Sequence, residues 1–429
     1  MIFNIVTIFP EFFDSALCCG LLGKAVDQGM VKVRLINPRD FTLDRHRSVD
    51  DRPYGGGPGM VMTLPPLAAA LRSLESTGKI LLLSPKGRPL DHAMAVRFSR
   101  EQSLTLICGR YEGIDARLED LFHLETVSVG NVVLNGGETA ALHLLEAAAR
   151  LLPGFLGHDE SVADESFARG VLEHPHYSRP EEFEGCGVPE VLLSGDHAKI
   201  AAWRREGSLA DTLDCRPELL HEAPLSASDL VVLRRLNLTR CRISKNCHLA
   251  LVHAPVLNKH GQIGTVSLTN LDIHDIARVS RTYDMGGYYV CTPLQDQRRL
   301  GERLVRHWTN GPGREGNVDR ADALALVRLV ESLDHAVAGV REQTGQEPLL
   351  VGTSAASYAT ATMTVAQVRE ALHAKPVLLV LGTGHGLASE VLERCAGVLR
   401  PIRFYSAYNH LSVRSAAAII VDRLLGDSG

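Results

Sequence analysis

The chain has 429 residues, 45 Lys and Arg against 50 Asp and Glu, a formal net charge of −5, and is 45% hydrophobic and 22% charged. This length exceeds one ordinary core and predicts two or three domains, and the composition is that of a soluble globular protein. No apolar run reaches the length of a membrane span and Met1–Val6 lacks a signal peptide's basic region, so no membrane partner and a cytoplasmic location are expected.

The first half alternates short aliphatic runs with helical periodicity. Strands are predicted at 2–9, 31–36, 80–83, 104–108 and 126–129, and helices at 66–74, 92–98 and 139–152, the pattern of an α/β domain with a largely parallel sheet. Between the second strand and the first helix lies the run from His46 to Met60, which sets Asp50, Asp51 and Arg52 against Pro53, Gly55, Gly56, Gly57, Pro58 and Gly59. A hydrophobic core does not call for that mixture. Residues that hold φ open or fixed beside charged groups mark a functional loop.

From 153 to 189 apolar periodicity is lost among glycine, proline, histidine and acidic residues, as in a functional loop. A helix is predicted at 198–213, with Trp203 and Leu209 available for an apolar face, and a junction at 236–246. A second α/β region follows. It should contain a strand at 249–256, a helix at 271–282 capped by Asn270, a strand at 288–291, a helix through Leu300, Leu304 and Trp308, and a long amphipathic helix at 321–340. A strand at 377–381, a strand at 402–405 and a helix at 413–425 complete it.

The nine cysteines carry no CxxC and no paired Cys/His spacing; even Cys241, Cys247 and His248 match no standard ligand set, so no metal site is assigned. The acidic balance means that nucleic acid would be met through local patches. Candidates are Arg45, Arg47 and Arg52, and the cluster Arg234, Arg235, Arg240, Arg242 and Lys245.

The two halves share an arrangement. Each has a buried strand running into glycines (Cys108-Gly109, and Gly382, Gly384, Gly386), then a strand, an asparagine-bearing loop (Asn131 and Asn135; Asn409) and an alanine-rich helix. Related nucleotide-type sites would look like this, and so would any two α/β domains. A dinucleotide enzyme is disfavoured, because no strand leads into GxGxxG with an acidic residue about 20 positions on.

A family resemblance is carried by the Arg52-Pro53-Tyr54-Gly55-Gly56-Gly57 loop and by the runs Leu83–Arg88, Cys108–Asp115, Ser128–Glu138, His174–Pro180, Val191–His197 and Arg216–Leu220. Over 1–236 the chain resembles the bacterial tRNA (guanine-N1)-methyltransferases, which modify the guanosine next to the anticodon. The loop 382–387 with Tyr408–Val413 resembles the end of a SPOUT methyltransferase, the superfamily of the same enzymes. The fold class implied is α/β, two trefoil-knotted SPOUT-type domains with parallel sheets and a small helical domain between them. The corresponding boundaries are 1–160 for the knotted cofactor domain, 161–190 for an active-site linker, 191–240 for a helical tRNA-binding domain and 247–429 for a second methyltransferase domain.

The resemblance implies S-adenosylmethionine as cofactor, admits Mg²⁺, and implies tRNA as partner and a homodimer whose subunits share each site. Cofactor contacts would come from Ser84, Pro85, Gly109, Tyr111, Glu112, Gly113, Val129, Gly130, Asn131, Val132, Val133, Leu134, Gly136 and Gly137. Asn131 stands where members of the family carry aspartate. RNA contacts fall on Arg45, His46, Arg47, Asp50, Arg52 and Ser161, with Phe167, His176 and Tyr177 as candidate walls for the base.

Guanine N1 must lose a proton, so a general base is required. The family's aspartate before a Ser-Phe pair falls on Glu165, with Asp164 one residue earlier as the other candidate. Charge growing on guanine O6 calls for a cation, which the resemblance places at Arg150. In the second domain the cofactor candidates are Gly382, Gly384, Gly386, Leu387, Asn409 and Leu411. A polar set of His253, Asn258, Lys259, Thr269, Asn270, Asp272, His274, Asp275 and Arg278 lies nearby in sequence. That domain reads as an RNA methyltransferase of unassigned target; a non-catalytic RNA-binding module is the alternative.

Overall fold

The computed structural model describes residues 1–156, 165–239, 243–355, 362–406 and 408–426. The chain divides into two compact units, 1–212 with 222–226, and 213–221 with 227–429.

The first unit is built on a five-stranded parallel sheet in the order Lys32–Ile36, Ile2–Val6, Ser103–Cys108, Lys79–Pro89, Glu125–Ser128. Both faces are covered, which is why its central strands read as continuous apolar runs. Phe3, Ile5, Leu81, Leu83, Leu104, Leu106 and Cys108 pack on one side with Ala141, Leu144, Leu145 and Ala148 of the helix Glu138–Ala149. Val6, Leu82 and Ile107 face the other way, onto Leu67 and Leu71 of the helix Leu64–Arg72 and onto Leu118. This alternation is the period of two of an extended strand. Each such side chain contributes roughly 1.5–3 kcal/mol by leaving water.

The predicted strands and helices of this half are present with small shifts of boundary. The strand at 80–83 runs further, Lys79–Pro89, with a register shift between Leu83 and Arg88 against Glu125–Ser128. Helices Gly20–Asp27 and Arg117–Phe122 were not anticipated; each is too short to show a clear apolar period. The helix at 198–213 is His197–Cys215, and Leu209 is fully buried in it.

The second unit holds a seven-stranded parallel sheet: Val327–Val330, Gly287–Cys291, Cys247–Val252, Val377–Gly382, Leu349–Thr353, Gly397–Leu399, Thr362–Met363. Without its two edge strands, this sheet has the strand order of the first unit. In both units the first strand lies between the second and the fourth, and the fifth closes beside the third. The arrangement glimpsed in the sequence is therefore a shared topology.

Three expectations for this unit are corrected. The long helix at 321–340 is instead helix Val318–Leu324, strand Val327–Val330 and helix Leu333–Thr344. Tyr288 to Cys291 pair with Val327 to Val330 in parallel register, and this pairing of a β-branched run overrides the helical period. The Ser332 side chain then accepts from His335 N to start a new helix. Residues 402–405 form a turn, the strand being Gly397–Leu399 three residues before it. Asn270 is the first helical residue and not the cap, a position held by Thr269 without a side-chain bond. Strand Leu349–Thr353 and helix Val365–Ala374 were not anticipated.

Candidate active sites

In the first unit the cofactor candidates gather at the carboxyl ends of the parallel strands, where α/β sheets bind ligands. Ser84 and Pro85 sit in the register shift of Lys79–Pro89, Gly109 to Gly113 follow Ser103–Cys108, and Val129 to Gly137 follow Glu125–Ser128. These loops are tied together. Gly137 N donates to Gly109 O at 2.9 Å, and Leu90 N donates to Ser128 O at 2.7 Å.

The glycine-rich run joins them. Asp50 and Asp51 pair antiparallel with Val61 and Met62, Glu112 N donates to Met60 O at 2.9 Å, and Met62 N donates to Gly113 O at 2.9 Å. Gly59 has φ +79, and a Cβ there would lie 2.5 Å from the Glu112 side chain. The same close approach occurs at Gly137, whose Cβ would meet Cys108 Cα at 2.6 Å. By contrast, Gly113 at φ +130 and Gly130 at φ +143 face open space. Beside them Tyr111, Val132, Val133 and Leu134 are exposed, and so is Asn131. Bare backbone N–H and C=O groups beside uncovered apolar side chains fit an adenosine-like group. Tyr111 reaches towards the basic segment: its phenol is pushed up by partial burial and by the Asp50 carboxylate, against the pull of Arg39.

Behind this cradle lies a network that the sequence did not signal. Glu138 is 1% exposed, accepts from Thr7 Oγ1 at 2.8 Å, and pairs with Arg110 Nη2 at 2.8 Å. The Arg110 guanidinium also lies 4.5 Å over the Phe9 ring and against Gly136. Arg110 sits inside a motif read for its glycines, and its partner on another element becomes visible only on folding.

Glu165 and Arg150 come together. Arg150 Nη1 donates to Glu165 Oε2 at 2.6 Å and Nη2 donates to Oε1 at 2.7 Å. These bonds hold the Glu165 carboxyl below its ordinary range, with His92 adding to the effect and partial burial opposing it. Arg150 is the C-cap of Glu138–Ala149, but its side chain goes to Glu165. Asp164 and Ser161 lie outside the described residues.

Apart from Ser161, the expected RNA contacts occupy one largely exposed segment, Arg45–Arg52. Arg45, His46 and Arg52 are exposed, and Asp50 is half-buried. Arg47 pairs with Asp40 and donates from Nε to Arg39 O at 3.1 Å. His176 bonds Glu173 at 2.7 Å, Tyr177 packs 6.0 Å from Trp203, and Phe167 adopts φ +74. In the other basic cluster Arg240 and Arg242 lie outside the described residues, and Lys245 is engaged by Asp284 at 2.6 Å.

The second unit repeats the glycine turn. Leu257 N donates to Gly386 O at 2.9 Å, His385 N to Leu257 O at 3.0 Å, and a Cβ at Gly382 would meet Leu387 N at 2.7 Å. Gly384 is at φ +62 and Gly386 at φ +111. Asn409 Nδ2 donates to Ala355 O at 2.9 Å, and Leu411 is exposed. Of the polar set, Asn258 closes its own turn through His260 and Gln262, and His253 is buried with a pKa pushed down by desolvation. Asp272 and Asp275 are bridged by Arg414, at 3.1 and 3.5 Å, a residue that the sequence reading had not singled out.

Comparison with known proteins finds two families along the chain, and the first match includes 213–221, which pack in the second unit. Residues 1–222 match the family described as tRNA (Guanine-1)-methyltransferase TrmD, and 246–426 match the one described as SAM-dependent RNA methyltransferase. A protein named tRNA (guanine-N(1)-)-methyltransferase from Oleidesulfovibrio alaskensis is 58% identical over 428 residues, 100% of each chain, and one of the same name from Nitratidesulfovibrio vulgaris is 57% identical over 424 residues, 99% of each. Another of that name, from Geotalea uraniireducens, is 49% identical over 239 residues, which is 55% of this chain and 97% of its own. Relatives thus occur both with and without the second unit. The chain belongs to the TrmD family of SAM-dependent tRNA (guanine-N1)-methyltransferases and carries a SAM-dependent RNA methyltransferase domain behind it.

Proposed function

We propose that the first unit methylates N1 of the guanosine next to the anticodon of tRNA, with Glu165 as general base and Arg150 as the cation that stabilises O6. The observation that carries this reading is the two-point contact between Arg150 and Glu165. Guanine presents an N1–H donor beside an O6 acceptor. That edge can replace each partner of the pair, with the carboxylate accepting from N1–H and the guanidinium donating to O6.

Before substrate arrives, Arg150 keeps Glu165 ionised, the form a base requires. Once Arg150 turns to O6, Glu165 loses its strongest stabilising partner and becomes more basic while facing the proton it must take. The N1–H bond breaks towards the carboxylate, and the electron pair left on the ring is delocalised onto O6, where Arg150 meets it. When bound, S-adenosylmethionine supplies an electrophilic methyl on a sulfonium that departs as a neutral thioether. Backbone groups at Gly109, Gly113, Gly130 and Gly137, with Tyr111, Val132, Val133 and Leu134, would hold it. Among the described residues no group of three or more His, Cys, Asp or Glu side chains converges in a way that would hold Mg²⁺.

The segment Arg45–Arg52 would receive tRNA phosphates, and Phe167, His176 and Tyr177 would border the flipped base. A trefoil knot is supported by the way 129–137 return against an earlier loop, with Gly137 N donating to Gly109 O at 2.9 Å and Arg110 Nη1 to Asn135 O at 3.4 Å. The homodimer and the cytoplasmic setting rest on the family resemblance; among the described residues no helix is long and apolar enough to cross a membrane. The second unit would bind its own cofactor at Gly382, Gly384, Gly386, Leu387, Asn409 and Leu411 and methylate a second RNA position. The test is transfer of labelled methyl to unmodified tRNA with the product nucleoside identified. N1-methylguanosine from the intact chain, lost in Glu165→Gln, is expected; its absence from the intact chain, or full activity of Glu165→Gln, contradicts the assignment.

A further inference from the structure

The loop between the last strand and the last helix occupies the same topological position in both units, yet its chemistry differs. In the first unit 129–137 contains no charged residue and exposes Val132, Val133 and Leu134. In the second unit 400–412 contains Arg400, Arg403, Phe404, Tyr405, Tyr408 and His410. Phe404 is 60% exposed, Tyr405 69% and Tyr408 75%. Three aromatic side chains within five residues, all exposed, stand out in a chain that is only 5% aromatic.

The described residues of this loop are held, so their exposure is not an accident of a loose segment. Arg400 N donates to Met363 O at 2.9 Å, Ser406 N to Arg403 O at 2.9 Å, Arg423 Nη1 to Ile402 O at 3.2 Å, and Asn409 Nδ2 to Ala355 O at 2.9 Å. Arg400 lies 5.2 Å over the Phe404 ring and Arg403 4.8 Å over Tyr405. The two rings meet edge to face at 5.2 Å, and Tyr408 stands 5.9 Å from His410.

Charge points the same way. From Arg394 to Val421 the sequence has no Asp or Glu, although the whole chain is net acidic. Arg394 pairs with Asp334 and Arg414 with Asp272, which leaves Arg400 and Arg403 without a carboxylate partner among the described residues. Flat π-faces interleaved with unpaired guanidiniums are what unstacked bases and their phosphates require.

Building on the second unit's membership of the RNA methyltransferases, we propose that Arg400–Ser406 and Tyr408–His410 form a stacking platform for an unpaired RNA segment. Phe404, Tyr405 and Tyr408 take the bases, and Arg400 and Arg403 take the backbone. The platform would present a single-stranded or looped region to the second unit, and a duplex, with its bases buried in the stack, would bind poorly.

The experiment uses the full chain and a short unpaired RNA of mixed sequence carrying 4-thiouridine, with the blunt duplex of the same sequence as comparator. Affinity is read by fluorescence anisotropy, crosslinks are mapped to peptides, and oligomeric state is followed by sedimentation. The expected result is crosslinks at Phe404 to Tyr408 with unpaired RNA, and about tenfold or greater weakening in the triple variant Phe404→Ala, Tyr405→Ala, Tyr408→Ala. Arg400→Gln with Arg403→Gln should lower the salt dependence by about one to two charges. An unchanged thermal transition shows that the variants are folded, and single Tyr408→Ala serves if the triple variant is not. Crosslinks elsewhere in the second unit, with binding by the variants unchanged, would overturn the platform while leaving the RNA methyltransferase reading intact. No second-unit crosslink, and no second-unit methylation of RNA, would remove both. A change in sedimentation without a change in RNA binding would also overturn the platform, by assigning the rings to contact between copies of the chain.

Discussion

Arg150 and Glu165 face each other through two parallel hydrogen bonds of 2.6 and 2.7 Å, so the residue expected to receive a proton and the residue expected to oppose the resulting charge neutralise one another. On the proposed mechanism the pair is a resting arrangement that guanine would open. Its two members should therefore behave as one unit in mutagenesis.

Glu165→Gln should lower kcat about 100-fold to 10,000-fold with little change in tRNA affinity. Glu165→Asp should recover part of the loss, because the carboxylate is kept but displaced. Arg150→Lys should also be impaired, since a lysine cannot make the forked contact. Single-turnover rates for the three variants and for Arg150→Ala with Glu165→Ala provide the check. Losses that add independently would mean that the two residues do not act together.

Acidification should weaken this contact in a defined direction. The Glu165 carboxyl is depressed in the folded protein, so its stabilising contribution is complete above the ordinary carboxylate range and is lost as pH falls through the lowered folded value. Thermal unfolding of wild type and Glu165→Gln should differ at neutral pH and converge in acid. A gap that persists undiminished in acid would contradict the ion pair.

The second unit has its own pH signature. His248 is buried beside Gly286, and desolvation, helped by Arg328, pushes its pKa down to about 4. A histidine held neutral stabilises the fold fully above its unfolded value near 6.5, and that stability drains away as pH falls towards 4. Each pH unit is worth about 1.4 kcal/mol, so the total approaches about 3 kcal/mol. Urea unfolding followed from pH 7 to 4 should show this slope in wild type and a shallower one in His248→Asn.

Cutting the buried pair behind the first cradle should be costly. Glu138→Ala leaves Arg110 without its counter-charge in a largely buried setting, a loss of about 3–5 kcal/mol. Differential scanning calorimetry should show the first unit's transition lowered and the second unit's unmoved. If both move equally, the two units do not unfold independently.

Two cofactor molecules per chain are expected by isothermal titration. Gly137→Ala, which drives a Cβ against Cys108, should abolish one site, and Gly382→Ala, which drives one against Leu387, should abolish the other. A stoichiometry of one in wild type would favour a second unit that binds RNA without methylating it.

Much of the architecture was already written in the linear chain. The strands at 2–6, 104–108 and 377–381, and the helix at 413–425, could be placed because their side chains are buried by local pattern: an apolar run bounded by glycine, or an alanine-rich face. The left-handed turns at Gly55, Gly56, Gly57 and Gly59 were legible in the glycine-rich run because only glycine adopts those backbone angles at no cost. What the sequence could not determine were the choices made by distant partners. Val327 to Val330 became a strand, not part of a helix, because Gly287–Cys291 offered an edge to pair with. Arg110 acquired a structural role only when Glu138 was brought against it, and Arg150 and Glu165, both nominated from the chain, were turned towards each other only by folding. Local pattern reports how a segment relates to water, and that much can be read residue by residue. Which charge meets which, and which strand finds which edge, depends on groups far apart in the chain, so only the tertiary structure decides it.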